Sequence, residues 1–217
     1  LPLGIPLESK GTGAFGKPAH GLSQESRGVA RIWRNKMSRI TSDEHRVKTI
    51  VVRPVAGNRS RAIVQLGPLR LPAALGRSGR TSRKREGDGA TPIAAMPLLY
   101  GFLRGDRLCA PASGLSLRRI RPSMLWCDAP GHPSYNRLVR APFRPSHEEM
   151  QRSDELYDIC LVLDWNVTCR RRNAGSAIFF HLIRPGYEPT AGCVAVSRPD
   201  MLRILPHMRR GTVVRVL

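Results

Sequence analysis

The sequence predicts a mainly-β domain, a sandwich or barrel-like core with one or two short helices. Three observations carry this: short β-branched or aromatic runs recur along the chain, turn residues separate them, and 20 Gly and 18 Pro punctuate the 217 residues. Residues 47–52 (VKTIVV) open the series. Residues 62–66 and 69–75 follow, with Gly67-Pro68 as the turn between them. Residues 156–163 (LYDICLVL) are apolar enough for a strand buried on both faces, as are 177–183 (AIFFHLI). Residues 191–196 and 212–217 complete the series.

One helix is predicted after residue 196. Ser197 is its cap, Pro199 suits the first turn, and Asp200 sits three residues beyond the cap. Met201, Leu202, Leu205 and Met208 supply an apolar face, and Pro206 is expected to kink or stop the run. A second helix is predicted over residues 146–156, with Glu148 and Glu149 as partners of its dipole. Residues 1–46 lack apolar periodicity and are expected to be a disordered extension, with 47–217 as the folded domain. Met37 reads as a natural start, which would make residues 1–36 an over-long gene product.

Composition narrows the function. Lys plus Arg is 36 and Asp plus Glu is 16, a formal charge of +20 that favours anionic partners. Basic residues are scattered, aromatics are 6%, and no nucleic-acid motif appears, so a specific nucleic-acid binder is disfavoured. The apolar stretch 89–103 is too short to cross a bilayer, and no secretory leader is visible. Five cysteines without a CxxC pair argue against a zinc ribbon or thioredoxin motif. Cys127 and Cys160 read as core residues, whereas Cys109 and Cys169 could pair under oxidising conditions. No metal or other cofactor is expected.

The chemistry concentrates near Cys193. It follows the small-residue turn Thr190-Ala191-Gly192 and precedes the strand VAV. Glycine before the nucleophile lets backbone approach a carbonyl closely, and successive N–H groups can hold an oxyanion. His181 ends an apolar run twelve residues upstream. If the two strands are neighbours, the imidazole reaches the sulfur. An imidazolium there would lower the thiol pKa from about 8.5 by several units. The pair would then serve as nucleophile and proton shuttle. Taken alone, the same residues also fit a buried cysteine and a core histidine.

Residues 176–196 (SAIFFHLIRPGYEPTAGCVAV) resemble the catalytic segment of the L,D-transpeptidase (YkuD-like) family, in its short anchorless subgroup. Residues 84–92 (KREGDGATP) resemble that family's KxxGDxxTP-like signature, and WCDAPGHPSYNRLV, SHEEM and LYDICLVLDWN follow in family order. The resemblance spans residues 47–217. It implies Cys193 as nucleophile, His181 as acid/base, and Thr190, Ala191 and Gly192 as the substrate-facing turn. Gly192 and Cys193 N–H groups would hold the oxyanion. Two departures stand out: Ala191 occupies a place often held by His, and Val194 and Ala195 stand where Arg or Asn is common. Arg184 is a substitute for gripping a substrate carboxylate, against the alternative of a solvated surface charge.

The implied reaction is peptidoglycan cross-linking. A tetrapeptide stem donates its acyl group through a Cys193 thioester with loss of D-Ala, and an amine accepts it. Hydrolysis of the thioester would make an L,D-carboxypeptidase of muropeptides instead. A non-catalytic module binding anionic cell-wall polymer is a third reading. The bacterial envelope or periplasm is the implied location, with the cytoplasm kept open by the missing leader. Glu86 and Asp88 are expected to cap a turn.

Overall fold

A computed structural model describes residues 49–217. The expectations about residues 1–46, including the start at Met37, lie outside the described residues. The described chain forms a closed, barrel-like sheet. It begins with β1 (Thr49–Val55), β2 (Asn58–Leu66) and β3 (Leu69–Ala74), an antiparallel meander. The short β4 (Arg80–Thr81) and β5 (Thr91–Pro92) pair in parallel beside it. Then come β6 (Ala95–Leu103), β7 (Leu117–Arg119), β8 (Met124–Cys127), β9 (Arg137–Arg140) and β10 (His147–Glu149). The chain finishes with β11 (Ile159–Leu163), β12 (Phe179–Leu182), β13 (Val194–Val196), helix α1 (Arg198–Ile204) and β14 (Val213–Val216).

The ring closes because β6 pairs on both sides. Strands run β11-β12-β13-β3-β2-β1-β14-β6, and β6 also pairs with β11. Closure removes the unpaired edges that an open sheet would expose. The predicted strands are all present with shifted ends. The stretch 89–103, read from sequence only as an apolar run interrupted by proline, supplies the closing strand. Pro97 fits there because it faces Val213 at a sheet position where its carbonyl accepts from Asp164 N at 2.8 Å.

Strand alternation divides the side chains between two cores. Phe180, Leu182, Val194, Val196, Leu161 and Val214 join the barrel interior. Phe179, Cys160, Val162 and Cys193 face the other way, onto a cluster with Trp126, Tyr157 and Met150. The small sheet β10-β8-β9 supplies the Trp126 side of this second cluster. Trp126 meets Phe179 edge to face at 5.1 Å.

The predicted helix is α1. Ser197 Oγ accepts from Asp200 N at 3.2 Å, and a 3-10 turn over Leu205–His207 absorbs Pro206. Met201, Ile204, Leu205 and Met208 enter the barrel core. Leu202, expected on the apolar face, is 40% exposed, and Ile204 takes its place. Among the described residues no helix is long and apolar enough to cross a membrane.

The helix expected over 146–156 does not form. Residues His147–Glu149 are β10, pairing with Cys127, Trp126 and Leu125 of β8. The dipole reading of Glu148 and Glu149 falls with it. Residues 146–156 lack an apolar stripe of helical period, and cross-strand pairing over the second cluster outweighs their local helix propensity.

Alternation gives a clear mutational contrast. Phe180→Ala empties barrel core and should destabilise the domain by about 3–5 kcal/mol in chemical denaturation. Cys193 should remain alkylatable in the folded variant, because Phe180 points away from it. Unchanged stability would show that Phe180 is not core.

Candidate active site

His181 and Cys193 reach one pocket because β12 and β13 are parallel neighbours. Phe180 pairs with Val194 and His181 with Ala195. Parallel strands keep the same faces aligned, so the face carrying Phe179 and His181 also carries Cys193. Both residues line a pocket of about 220 Å³ together with Glu148, Arg152, Tyr157 and Ala191. Thr190, Arg184, Arg77 and Glu188 stand around the same pocket.

The thiol is held by main chain. Phe179 N donates to Cys193 Sγ at 3.3 Å, and Sγ donates to the Ala177 carbonyl at 3.2 Å. Ala177 is fixed in turn by Asn136, whose Oδ1 accepts from Ala177 N and from Trp126 Nε1, both at 3.0 Å. Asn136 is fully buried, and its Nδ2 donates to the Trp165 carbonyl at 3.0 Å. One amide therefore ties β8, the 165 loop and the thiol's acceptor together.

The imidazole is oriented by a backbone carbonyl. His181 Nδ1 lies 2.6 Å from the Leu182 oxygen, an acceptor, so Nδ1 carries the proton and Nε2 keeps its lone pair. Tyr157 packs edge-on against the imidazole at 5.3 Å, and the Arg152 guanidinium lies 5.2 Å from the other ring's centre. Arg152 is itself clamped by Asp154 through two bonds of 2.7 Å.

Burial sets the protonation states. It lowers the His181 pKa to about 4, with the bond to Leu182 opposing the shift. It raises the Cys193 thiol to about 12, and the negative charge of Glu148 adds to that rise. The resting pair at neutral pH is thus neutral thiol and neutral imidazole. This departs from the expectation of an imidazolium that lowers the thiol's pKa: desolvation of both groups favours their neutral forms.

The turn before Cys193 is built by Thr190. Its hydroxyl accepts from Gly192 N at 3.1 Å and donates to the Cys193 carbonyl at 2.7 Å. Thr190 N and O also bond Leu75 O and Arg77 N, at 2.9 and 2.8 Å. Thr190 thus shapes the turn, with its hydroxyl bonded to main chain on both sides. Gly192 N–H, expected as an oxyanion donor, is taken by that hydroxyl. Cys193 N–H has no hydrogen-bond partner among the described residues.

Gly192 has φ +143°, and a Cβ there would meet the Ala90 carbonyl oxygen at 3.0 Å. Glycine is required by both conformation and space. The 84–92 segment supplies that close neighbour. Asp88 caps its turn by accepting from Arg85 N and Ala90 N at 2.8 and 2.9 Å, and it pairs with Lys84 at 2.5 Å. Glu86 does not cap the turn with its side chain; it accepts from Tyr135 instead.

Arg184 is exposed and lies 3.7 Å from both Asp154 and Glu188, a loosely paired charge at the pocket mouth. Cys127 and Cys160 are fully buried, while Cys109 and Cys169 are exposed, unbridged thiols. The sequence does not single out Tyr157, Arg152 or Asn136 as site residues, and it favours a dipole role for Glu148. Glu148, Tyr157 and Asn136 fall in the SHEEM, LYDICLVLDWN and WCDAPGHPSYNRLV blocks, whereas Arg152 lies between two of them and carries no signal of its own.

Fold and pocket together define a barrel-like domain with cysteine and histidine on one wall of a closed-in cleft. Comparison with protein-family models matches residues 48–216 to the L,D-transpeptidase catalytic domain, YkuD. The chain belongs to this family of acyl-transferring enzymes, which act on peptidoglycan peptides. Comparisons with curated proteins and with solved structures gave no match.

The resting thiol makes a kinetic prediction. Alkylation of Cys193 by iodoacetamide should be slow at pH 7 and rise about tenfold per pH unit through pH 9, following the thiolate fraction. A rate already level below pH 7 would reveal a preformed thiolate–imidazolium pair.

Proposed function

We propose that the protein is a cysteine-dependent L,D-transpeptidase that cross-links peptidoglycan stem peptides. The observation carrying this reading is the shared pocket: Cys193 Sγ and His181 stand on one face of paired strands, with Nδ1 of the imidazole anchored to Leu182 O. That anchoring leaves Nε2 as the only nitrogen able to take a proton.

Because the resting pair is neutral, attack and proton transfer are coupled. Sγ attacks the carbonyl joining the diamino acid's L-centre to D-Ala while its proton passes to His181 Nε2. Cys193 N–H, which has no partner among the described residues, stabilises the oxyanion. Collapse of the tetrahedral intermediate breaks the C–N bond, and the imidazolium gives its proton to the departing D-Ala amine. The product is a thioester on Cys193. An acceptor amine then attacks it, loses a proton to Nε2, and expels the thiolate, which recovers the proton. Bond count and charge balance without a cofactor. Thr190 and Gly192 hold the turn that presents Sγ, and Ala191 leaves room at the mouth where a larger residue would narrow it.

Intact-protein mass spectrometry with a disaccharide-tetrapeptide tests this directly. The expected result is loss of D-Ala, an acyl adduct on Cys193, and a cross-linked dimer. Cys193→Ala should abolish the adduct, and His181→Ala should slow acylation by at least about a hundredfold. Free tripeptide without dimer would make the enzyme a carboxypeptidase. A folded protein yielding neither adduct nor product would overturn the reading.

A further inference from the structure

The pocket contains a carboxylate that the proposed acyl transfer does not use. Glu148, on β10, lines it with Cys193, His181 and Tyr157. Among the described residues the carboxylate's one hydrogen bond comes from the Tyr157 hydroxyl, 2.5 Å to Oε2, and it forms no ion pair. This is notable in a chain with 36 basic and 16 acidic residues. The nearby guanidiniums are engaged elsewhere: Arg152 with Asp154, and Arg184 with Asp154 and Glu188.

An unpaired carboxylate in this position opposes catalysis. Burial pushes the Glu148 pKa up, so its charge is costly. That charge also raises the Cys193 thiol and works against thiolate formation. A cation arriving with substrate would relieve both penalties. The acyl donor is one place to find it. A residue that presents its carbonyl to Sγ carries its side chain into the same pocket of about 220 Å³.

We propose that Glu148 is the ammonium-binding group of the donor site, and that it selects donors whose scissile residue is a diamino acid with a free side-chain ammonium. This rests on the acyl-transfer reading above for the identity of the donor. Tyr157 holds the carboxylate in place through Oε2 and leaves Oε1 for the ligand. Arg152, stacked on Tyr157, keeps that ring in position. Seating the ammonium also cancels the charge that disfavours the thiolate, so binding the correct donor favours nucleophile activation.

The test uses two tetrapeptides that differ at one atom group: one with the free side-chain amine, one with that amine acetylated. Affinities are measured by calorimetry on Cys193→Ala and on Cys193→Ala/Glu148→Gln, where no turnover intervenes. The free amine should bind Cys193→Ala at least about tenfold more tightly, as for a charge-assisted bond. Glu148→Gln should bring the two peptides to within about threefold. Equal affinities on Cys193→Ala overturn the proposal without needing the second variant. So does an undiminished preference after Glu148→Gln, and so does failure of both peptides to bind the folded Cys193→Ala protein. The acyl-transfer reading fails differently, by absence of an adduct on active protein, so the two failures are distinguishable.

Discussion

The parallel pairing of β12 with β13 is the constraint on which the rest depends. Its register sets Phe180 and Leu182 beside Val194 and Val196, and all four are buried in the barrel. The opposite face is thereby committed to Phe179, His181 and Cys193. A slip of one residue would send His181 into the apolar interior and turn a core phenylalanine toward the cleft. The hydrophobic requirement of the barrel and the chemical requirement of the pocket are met by one alternation. Burying four large apolar side chains thus fixes where the imidazole and thiol stand.

Around that pair, most polar contacts are made by backbone. The thiol lies between Phe179 N and Ala177 O, and the imidazole is held by Leu182 O. These main-chain groups fix orientation without adding charge to a buried site. The result is a resting state that is neutral and poorly reactive. In the proposed acyl transfer, reactivity would depend on what the substrate brings: a carbonyl to attack, an amine to receive a proton, and a charge to offset Glu148.

Much of the fold was legible because burial writes itself into composition. β11 and β12 are nearly continuous apolar runs, as strands covered on both faces must be. α1 was legible because Ser197, Pro199 and Asp200 are local signals read within one turn. His181, Cys193 and Gly192 stand out in the sequence by residue type, spacing and family likeness, and the first two line one pocket. Three features were not legible. β6 carries Pro97 and Gly101, which mask a strand paired on both sides. β10 is short and charged, and only its pairing with β8 makes it a strand. Asn136, with φ +55° between β8 and β9, acts through atoms of Trp126, Trp165 and Ala177 that are distant in sequence. The role expected of Gly192 N–H was also altered by a side chain two residues away, a detail that spacing does not encode.

The proposed acyl transfer needs a buried, neutral imidazole, protonated on Nδ1, to accept the Cys193 proton. The most direct measurement is nitrogen-15 NMR of the His181 ring in the free protein, assigned by comparison with His181→Gln, across pH 4–8. The Nδ1–H tautomer should persist throughout the neutral range, with protonation only as the pH approaches about 4. An Nε2–H tautomer, or an imidazolium at pH 7, would contradict it.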